Sequence, residues 1–196
     1  MELPGFKNVA LIYDDLVQRG GGENFFVEIS KIYPNADIYC PIVSKKWLNK
    51  LKNKEIFYSK FLSNFLHFGN FGYYLASVIS IFWFESLNLD KYNIVISLCN
   101  RFSGVVITKN NTKHVCIYTH PARQIFTSRK FSILFYFIRL YLFYALKRAD
   151  VNISISNYTK LNVKKYLSIE SVVIPPVVNF SKQIDCVSNN TDYFLI

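Results

Sequence analysis

Residues 8–40 read NVALIYDDLVQRGGGENFFVEISKIYPNADIYC, and this stretch decides the fold. Residues 8–13 form a short apolar run followed by Asp14 and Asp15, the pattern of a buried strand. Gly20, Gly21 and Gly22 then make a turn. Beyond it Phe25, Phe26, Ile29, Ile32 and Tyr33 recur at helical spacing, with Glu28 and Lys31 on the opposite side. Pro34 and Asn35 stop that helix, and residues 36–40 read as a second strand. Strand, glycine turn, helix and strand make a βαβ unit, which predicts a parallel sheet with a right-handed crossover.

The alternation continues outward. Residues 44–60 are polar and lysine-rich, a helix and a solvated loop. Further strands are expected at 92–98, 113–119, 150–155 and 171–174, with helices at 131–147 and 157–167. The expectation is an α/β, Rossmann-like parallel sheet with helices on both faces, filling residues 1–178. Residues 179–190 are polar and read as a linker. Residues 191–196, TDYFLI, read as the first strand of a second domain.

The chain has 196 residues, enough for one domain or one and a fraction. Hydrophobic residues at 51% against 18% charged exclude a disordered chain, and 17% aromatics promise a bulky core or large greasy surfaces. The net charge of +10 is uneven. Between Asp90 and Asp150 there is no acidic residue, yet Lys91, Arg101, Lys109, Lys113, Arg123, Arg129, Lys130, Arg139, Lys147 and Arg148 all fall there. That imbalance predicts an anionic partner, although Lys and Asn are abundant throughout, which offers genome composition as another origin. The basic residues are scattered over strands and turns without an RNA- or DNA-binding motif, so nucleic acid is not the expected partner. Cys40, Cys99, Cys116 and Cys186 are isolated and read as free thiols, with no zinc-ligand spacing. The N-terminus has an early acid and no basic region ahead of a long apolar run, so no signal peptide is expected.

Two apolar stretches raise the question of a membrane. Residues 61–84 carry no formal charge and are long enough to span a bilayer. Asn64, His67, Gly69, Asn70 and Gly72 interrupt them, and the apolar remainder, 73–84, fits a buried core helix. The second stretch is FSILFYFIRLYLFYAL, preceded by Arg129 and Lys130, followed by Lys147 and Arg148, and centred on Arg139. It is too short and too charged to cross. Either it covers one face of the sheet, or it lies on an anionic membrane surface through those five basic residues; the two are compatible on different faces.

Chemistry-bearing residues are few. Gly20–Gly22 open a helix, where free backbone N–H groups and the helix dipole suit a phosphate. The turn is not GxGxxG and lacks the Lys-Ser/Thr of a P-loop, so a purely structural turn explains it as well. His120 stands at the carboxyl end of the 113–119 strand, within His120-Pro121-Ala122-Arg123, where open α/β sheets bind ligands. Gly20–Gly22 and His120 should share that rim, with a ligand-facing and a structural reading both open for the histidine. His114 and His67 lack such a setting and read as structural.

At these residues the chain resembles the family 4 glycosyltransferases of GT-B fold, in particular those of bacterial surface-polysaccharide biosynthesis. The resemblance begins at Arg19-Gly20-Gly21-Gly22-Glu23 and continues through residues 33–39 and 87–97. It takes in residues 120–123, Ala149-Asp150, 155–159 and 173–179, and so extends over nearly the whole chain. It implies the N-terminal, acceptor-side half of a GT-B enzyme: a retaining transferase moving a sugar from a nucleotide-diphosphate donor to a lipid-linked or glycan acceptor. By resemblance, Gly20, Gly21 and Gly22 lie against the donor phosphates and His120 is the catalytic-site histidine near the donor sugar. Glu23, Arg123 and Arg101 then belong to the acceptor cleft. No cofactor or metal is implied, since helix dipoles and basic side chains neutralise the leaving diphosphate. Three positions depart from the family pattern: Pro121 follows His120 directly, Ser103 replaces a lysine ahead of Gly104, and Asn24 replaces a basic residue after Glu23.

The expected protein is thus a cytoplasmic half-transferase, peripheral on the inner face of the plasma membrane and inactive without a separate C-terminal half. The alternative is a non-enzymatic peripheral membrane or glycan-binding protein using its basic aromatic surface.

Overall fold

A computed structural model describes residues 8–120 and 132–176. The first half comprises β1 (Val9–Tyr13), β2 (Asp15–Leu16), α1 (Gly21–Ile32), β3 (Asp37–Tyr39), β4 (Ile42–Val43), α2 (Lys45–Lys50), β5 (Ile56–Phe57), α3 (Lys60–Asn64) and α4 (Gly69–Glu85). The second comprises β6 (Ile94–Cys99), β7 (Lys113–Tyr118), α5 (Ser132–Ala145), β8 (Val151–Ser154), α6 (Asn157–Leu167) and β9 (Val172–Val173). Seven strands form one sheet in the order β5-β3-β1-β6-β7-β8-β9. Every neighbouring pair in it is parallel. The protein is α/β with a Rossmann-like parallel sheet. Edge strand β5 and the small β2–β4 pair were not expected; at two residues each they are too short to show a period. The linker and second-domain strand expected at 179–196 lie outside the described residues.

β1 is buried along its whole length, as a central parallel strand must be. Its side chains alternate between two cores. Val9, Leu11 and Tyr13 pack with Phe26 and Ile29 of α1 and Trp47 of α2. Ala10 and Ile12 pack with Ile81 and Phe84 of α4, Ile138 and Leu142 of α5, and Val163 and Leu167 of α6. The helices therefore lie on both faces, α1 and α2 on one, α4, α5 and α6 on the other. Cys40, Cys99 and Cys116 are buried free thiols; Cys186 lies outside the described residues.

Several segments that carried the family resemblance do structural work. The Tyr92 hydroxyl donates to Asp37 and lies 2.8 Å from the Tyr39 hydroxyl, while Lys91 donates to the same Asp37 at 2.9 Å. This ties the start of β3 to the start of β6, at the amino edge of the sheet. The Asp150 carboxylate accepts the His114 backbone N–H at 2.8 Å. Ser156 caps α6 through the Thr159 N–H at 3.1 Å. His114 is fully buried, its Nε2 2.8 Å from Ser97 Oγ, and burial pulls its pKa down to about 4. It is an interior, neutral histidine.

The apolar run at 61–84 is divided at Gly69, at φ 64°, into α3, a 3₁₀ turn and α4. Residues 73–84, expected as a buried core helix, all lie in α4, which packs into the core along one face only. The inner face of α4 is buried at Ala76, Ser77, Ser80, Ile81 and Phe84. Its outer stripe, Phe71, Leu75 and Phe82, is exposed.

Candidate functional site

The chain winds outward from β1 through β3 to β5, then returns to start again at β6 on the other side of β1. Between β1 and β6 the helices before and after part to opposite faces, and the crevice beyond the carboxyl ends of these two strands is where such sheets bind ligands. Asp14 and Asp15 emerge there from β1, Asn100 and Arg101 from β6.

Asp14 is buried and its carboxylate is used by the backbone. Oδ2 accepts the N–H groups of Asn100 and Arg101, both at 2.7 Å. Oδ1 accepts those of Phe102 at 2.7 Å and Ser103 at 2.8 Å. Four charge-assisted bonds thus clamp the turn after β6 onto the end of β1. Ser103 is buried and donates to the Leu98 carbonyl at 2.9 Å.

Asp15, buried beside this clamp, is held by side chains instead. Its Oδ2 accepts from the Arg101 guanidinium and, at 3.2 Å, from the Tyr73 hydroxyl of α4. Arg101 also donates to Tyr73 and stacks over its ring, 4.9 Å from the centroid. Burial pushes the Asp15 carboxyl up to about 6; Arg101 opposes the rise, while Asp14 and Glu23 add to it. Burial by itself depresses the Arg101 pKa, but Asp15 and Asp14 hold it above its ordinary value.

The glycine turn lies against the same corner. Gly20 precedes α1 with no side-chain cap, and Glu23 stands in the first turn. A Cβ at Gly22 would come within 2.8 Å of the Tyr13 hydroxyl, so close packing of α1 on β1 requires that glycine. A Cβ at Gly21 would meet nothing within 4 Å. Burial, then the charges of Glu23 and Asp15, push the Tyr13 hydroxyl far up, so it stays neutral. Around the turn stand Arg19, directly before Gly20, the carboxylates of Asp15 and Glu23, and the guanidinium of Arg101 on Asp15.

The structure places Glu23 and Arg101 beside Asp15, and adds Asp14, Asp15 and Tyr73, which the sequence reading did not place in a site. The Asp-Asp pair directly after the first strand was the available signal; nothing local pointed to Tyr73. His120 follows β7 on the same carboxyl edge, half-buried, just beyond Thr119, whose N–H bonds the Cys99 carbonyl at 3.0 Å. Arg123, Arg129 and Lys130 lie outside the described residues. Among the described residues no cluster of His, Cys, Asp or Glu is arranged to hold a metal ion.

Five basic residues of the acid-free stretch are paired with carboxylates. Lys91 pairs with Asp37, Arg101 with Asp15, Lys109 with Asp90, Lys113 with Asp150 and Arg148 with Glu85. Each of these five basic residues meets an acid at the border of the stretch or outside it. Lys147 stands over the Phe143 ring at 3.7 Å. Arg148, expected at a membrane contact, pairs with Glu85 at 2.5 Å.

No protein-family model, curated protein or solved structure matches this chain.

Proposed function

We propose that the protein is the acceptor-side half of a retaining glycosyltransferase. It would hold a lipid-linked or glycan acceptor while a second, C-terminal half presents a nucleotide-diphosphate sugar. The observation that supports this reading most is the carboxylate-rich cluster of Asp15, Glu23, Arg101 and Tyr73 at the point where the strand order reverses. Carboxylates accept sugar hydroxyls, Arg101 and Tyr73 supply donors, and the Asp14 clamp fixes the backbone beneath them. In this reading Glu23, Asp15 and Arg101 contact the acceptor, and His120 faces the donor sugar from the neighbouring strand end. In this reading Gly20–Gly22 lie against the donor phosphates, and the rest of the donor is held by the partner half.

The test is saturation-transfer NMR of the purified chain with a panel of oligosaccharides and of nucleoside diphosphates. Glycan binding that is lost in Asp15→Ala, with nucleotide binding weak or absent, supports the proposal. Glycan binding indifferent to Asp15→Ala, or none at all, overturns the site. Robust sugar transfer by the 196-residue chain alone overturns the division of labour.

A further inference from the structure

Three helices, α4, α5 and α6, cover one side of the sheet, and their outward residues share an unusual composition. On α4 Phe71 is 77% and Phe82 72% exposed, with Leu75 between them on the same stripe. On α5 the outer residues are Phe137, Leu140 and Tyr144, and on α6 Tyr158 and Leu161, all exposed. A helix on a water-facing surface ordinarily turns charged residues outward. Here the outward positions are large and apolar, well beyond scattered exposure.

The charge pattern of this layer is one-sided. α4, α5 and α6 contain a single acidic residue, Glu85, and it is neutralised by Arg148. The same layer carries Arg139, Lys147, Lys160, Lys164 and Lys165, of which Lys164 pairs with Glu170 just beyond α6 at 2.7 Å. The opposite layer differs: α1 contains Glu23 and Glu28, the latter paired with Lys31. One face of the molecule is thus aromatic and carries more basic than acidic residues.

We infer that the α4–α5–α6 face docks on a bilayer containing anionic phospholipid, lying in its interfacial plane. Aromatic side chains enter the headgroup–acyl boundary and the lysines meet lipid phosphates, the combination that holds amphipathic surfaces on anionic membranes. The segment Lys60–Glu85 is long and apolar enough to cross a membrane. Crossing would require tearing Ala76, Ser80 and Phe84 from the core and Tyr73 from Asp15, so α4 lies on the surface instead. Self-association through this face would set one cationic surface against another. Tyr73 of α4 reaches the crevice, so docking would hold the crevice mouth beside the bilayer. The inference stands independently of the transferase reading, since it uses none of the crevice residues as evidence for lipid.

The test is co-sedimentation of the full chain with sucrose-loaded phosphatidylcholine vesicles, with and without phosphatidylglycerol. Binding is expected only with phosphatidylglycerol, and should fall with added salt as the phosphates are screened. Phe71→Ser with Phe82→Ser should lower the partition coefficient at least about tenfold, given what burial of one phenyl ring contributes. Both side chains are exposed, so the thermal melt of that variant should match the wild type. Lys160→Glu with Lys165→Glu is the second variant and should also lower binding several-fold. Equal binding to both vesicle types, no binding, or binding unchanged in both variants overturns the inference. So does light scattering that shows a dimer which Phe71→Ser with Phe82→Ser dissolves, in a protein that ignores vesicles.

Discussion

Asp14→Asn changes one atom and should be among the most damaging surface-neutral substitutions in the molecule. The carboxylate accepts four backbone N–H groups, two on each oxygen, from Asn100, Arg101, Phe102 and Ser103. An asparagine keeps one acceptor oxygen and turns an NH₂ group toward two of those donors. Two charge-assisted hydrogen bonds are lost at about 1.5–3 kcal/mol each, so the expected loss is about 3–6 kcal/mol. That is a large fraction of the ~5–15 kcal/mol that holds a domain of this kind together. Urea denaturation followed by circular dichroism is the assay. With a slope of about 2–3 kcal/mol per molar, the midpoint should fall by roughly 1–3 M. The adjacent Asp15→Asn is the control, because Asp15 has no backbone partner among its hydrogen bonds and its carboxyl is already displaced toward the neutral form. It should cost markedly less. A loss below about 1 kcal/mol for Asp14→Asn, or one no larger than for Asp15→Asn, would refute the clamp.

Gly22→Ala should destabilise the fold by about 1–3 kcal/mol, because the new methyl meets the hydroxyl of a Tyr13 ring that is itself stacked on Phe26 at 4.8 Å. Gly21→Ala should leave the melting temperature nearly unchanged, and equal losses for the two would show that α1 is not seated as described. The pH dependence carries a definite sign at Asp15. Its ordinary value of 3.8 rises to about 6 on burial, so the folded state holds a proton where the unfolded chain has released it. The stability from that proton is fully present below about pH 4 and lost as pH rises through 6. The advantage of the wild type over Asp15→Asn should therefore shrink between pH 4 and 6 in denaturation experiments; a flat or growing difference refutes the assignment. His114, lowered to about 4, contributes with the opposite sign but is common to both proteins and cancels.

How much was legible beforehand differs by element. The first βαβ unit was readable because each of its parts is local: an apolar run, a glycine turn, a 3.6-residue period and a Pro-Asn stop. The later strands were readable for the same reason, and their short ends shifted by a residue or two where backbone pairing stops. Gly20–Gly22 and His120 could be placed on one rim because strand polarity in a parallel sheet follows from the alternation itself. Tyr73 could not, since it reaches Asp15 from the helix that returns beneath the sheet.

The sequence by itself determined the order of strands and helices, the parallel sense of the sheet, and which strand ends face the ligand edge. These follow from periods that repeat within a dozen residues and from the short reach of a connecting turn. Only the tertiary structure decided that Asp14 and Asp15, adjacent in the chain, would divide into a backbone clamp and a partner of Arg101 and Tyr73. It also decided that Arg101 and Arg148 would be neutralised by Asp15 and Glu85, and that the outer stripe of α4 would face away from the core. Each of these depends on β1 and β6 becoming neighbours across more than half the described chain. Electrostatic and packing partners are set by distance in space, and a sequence records distance only along the chain.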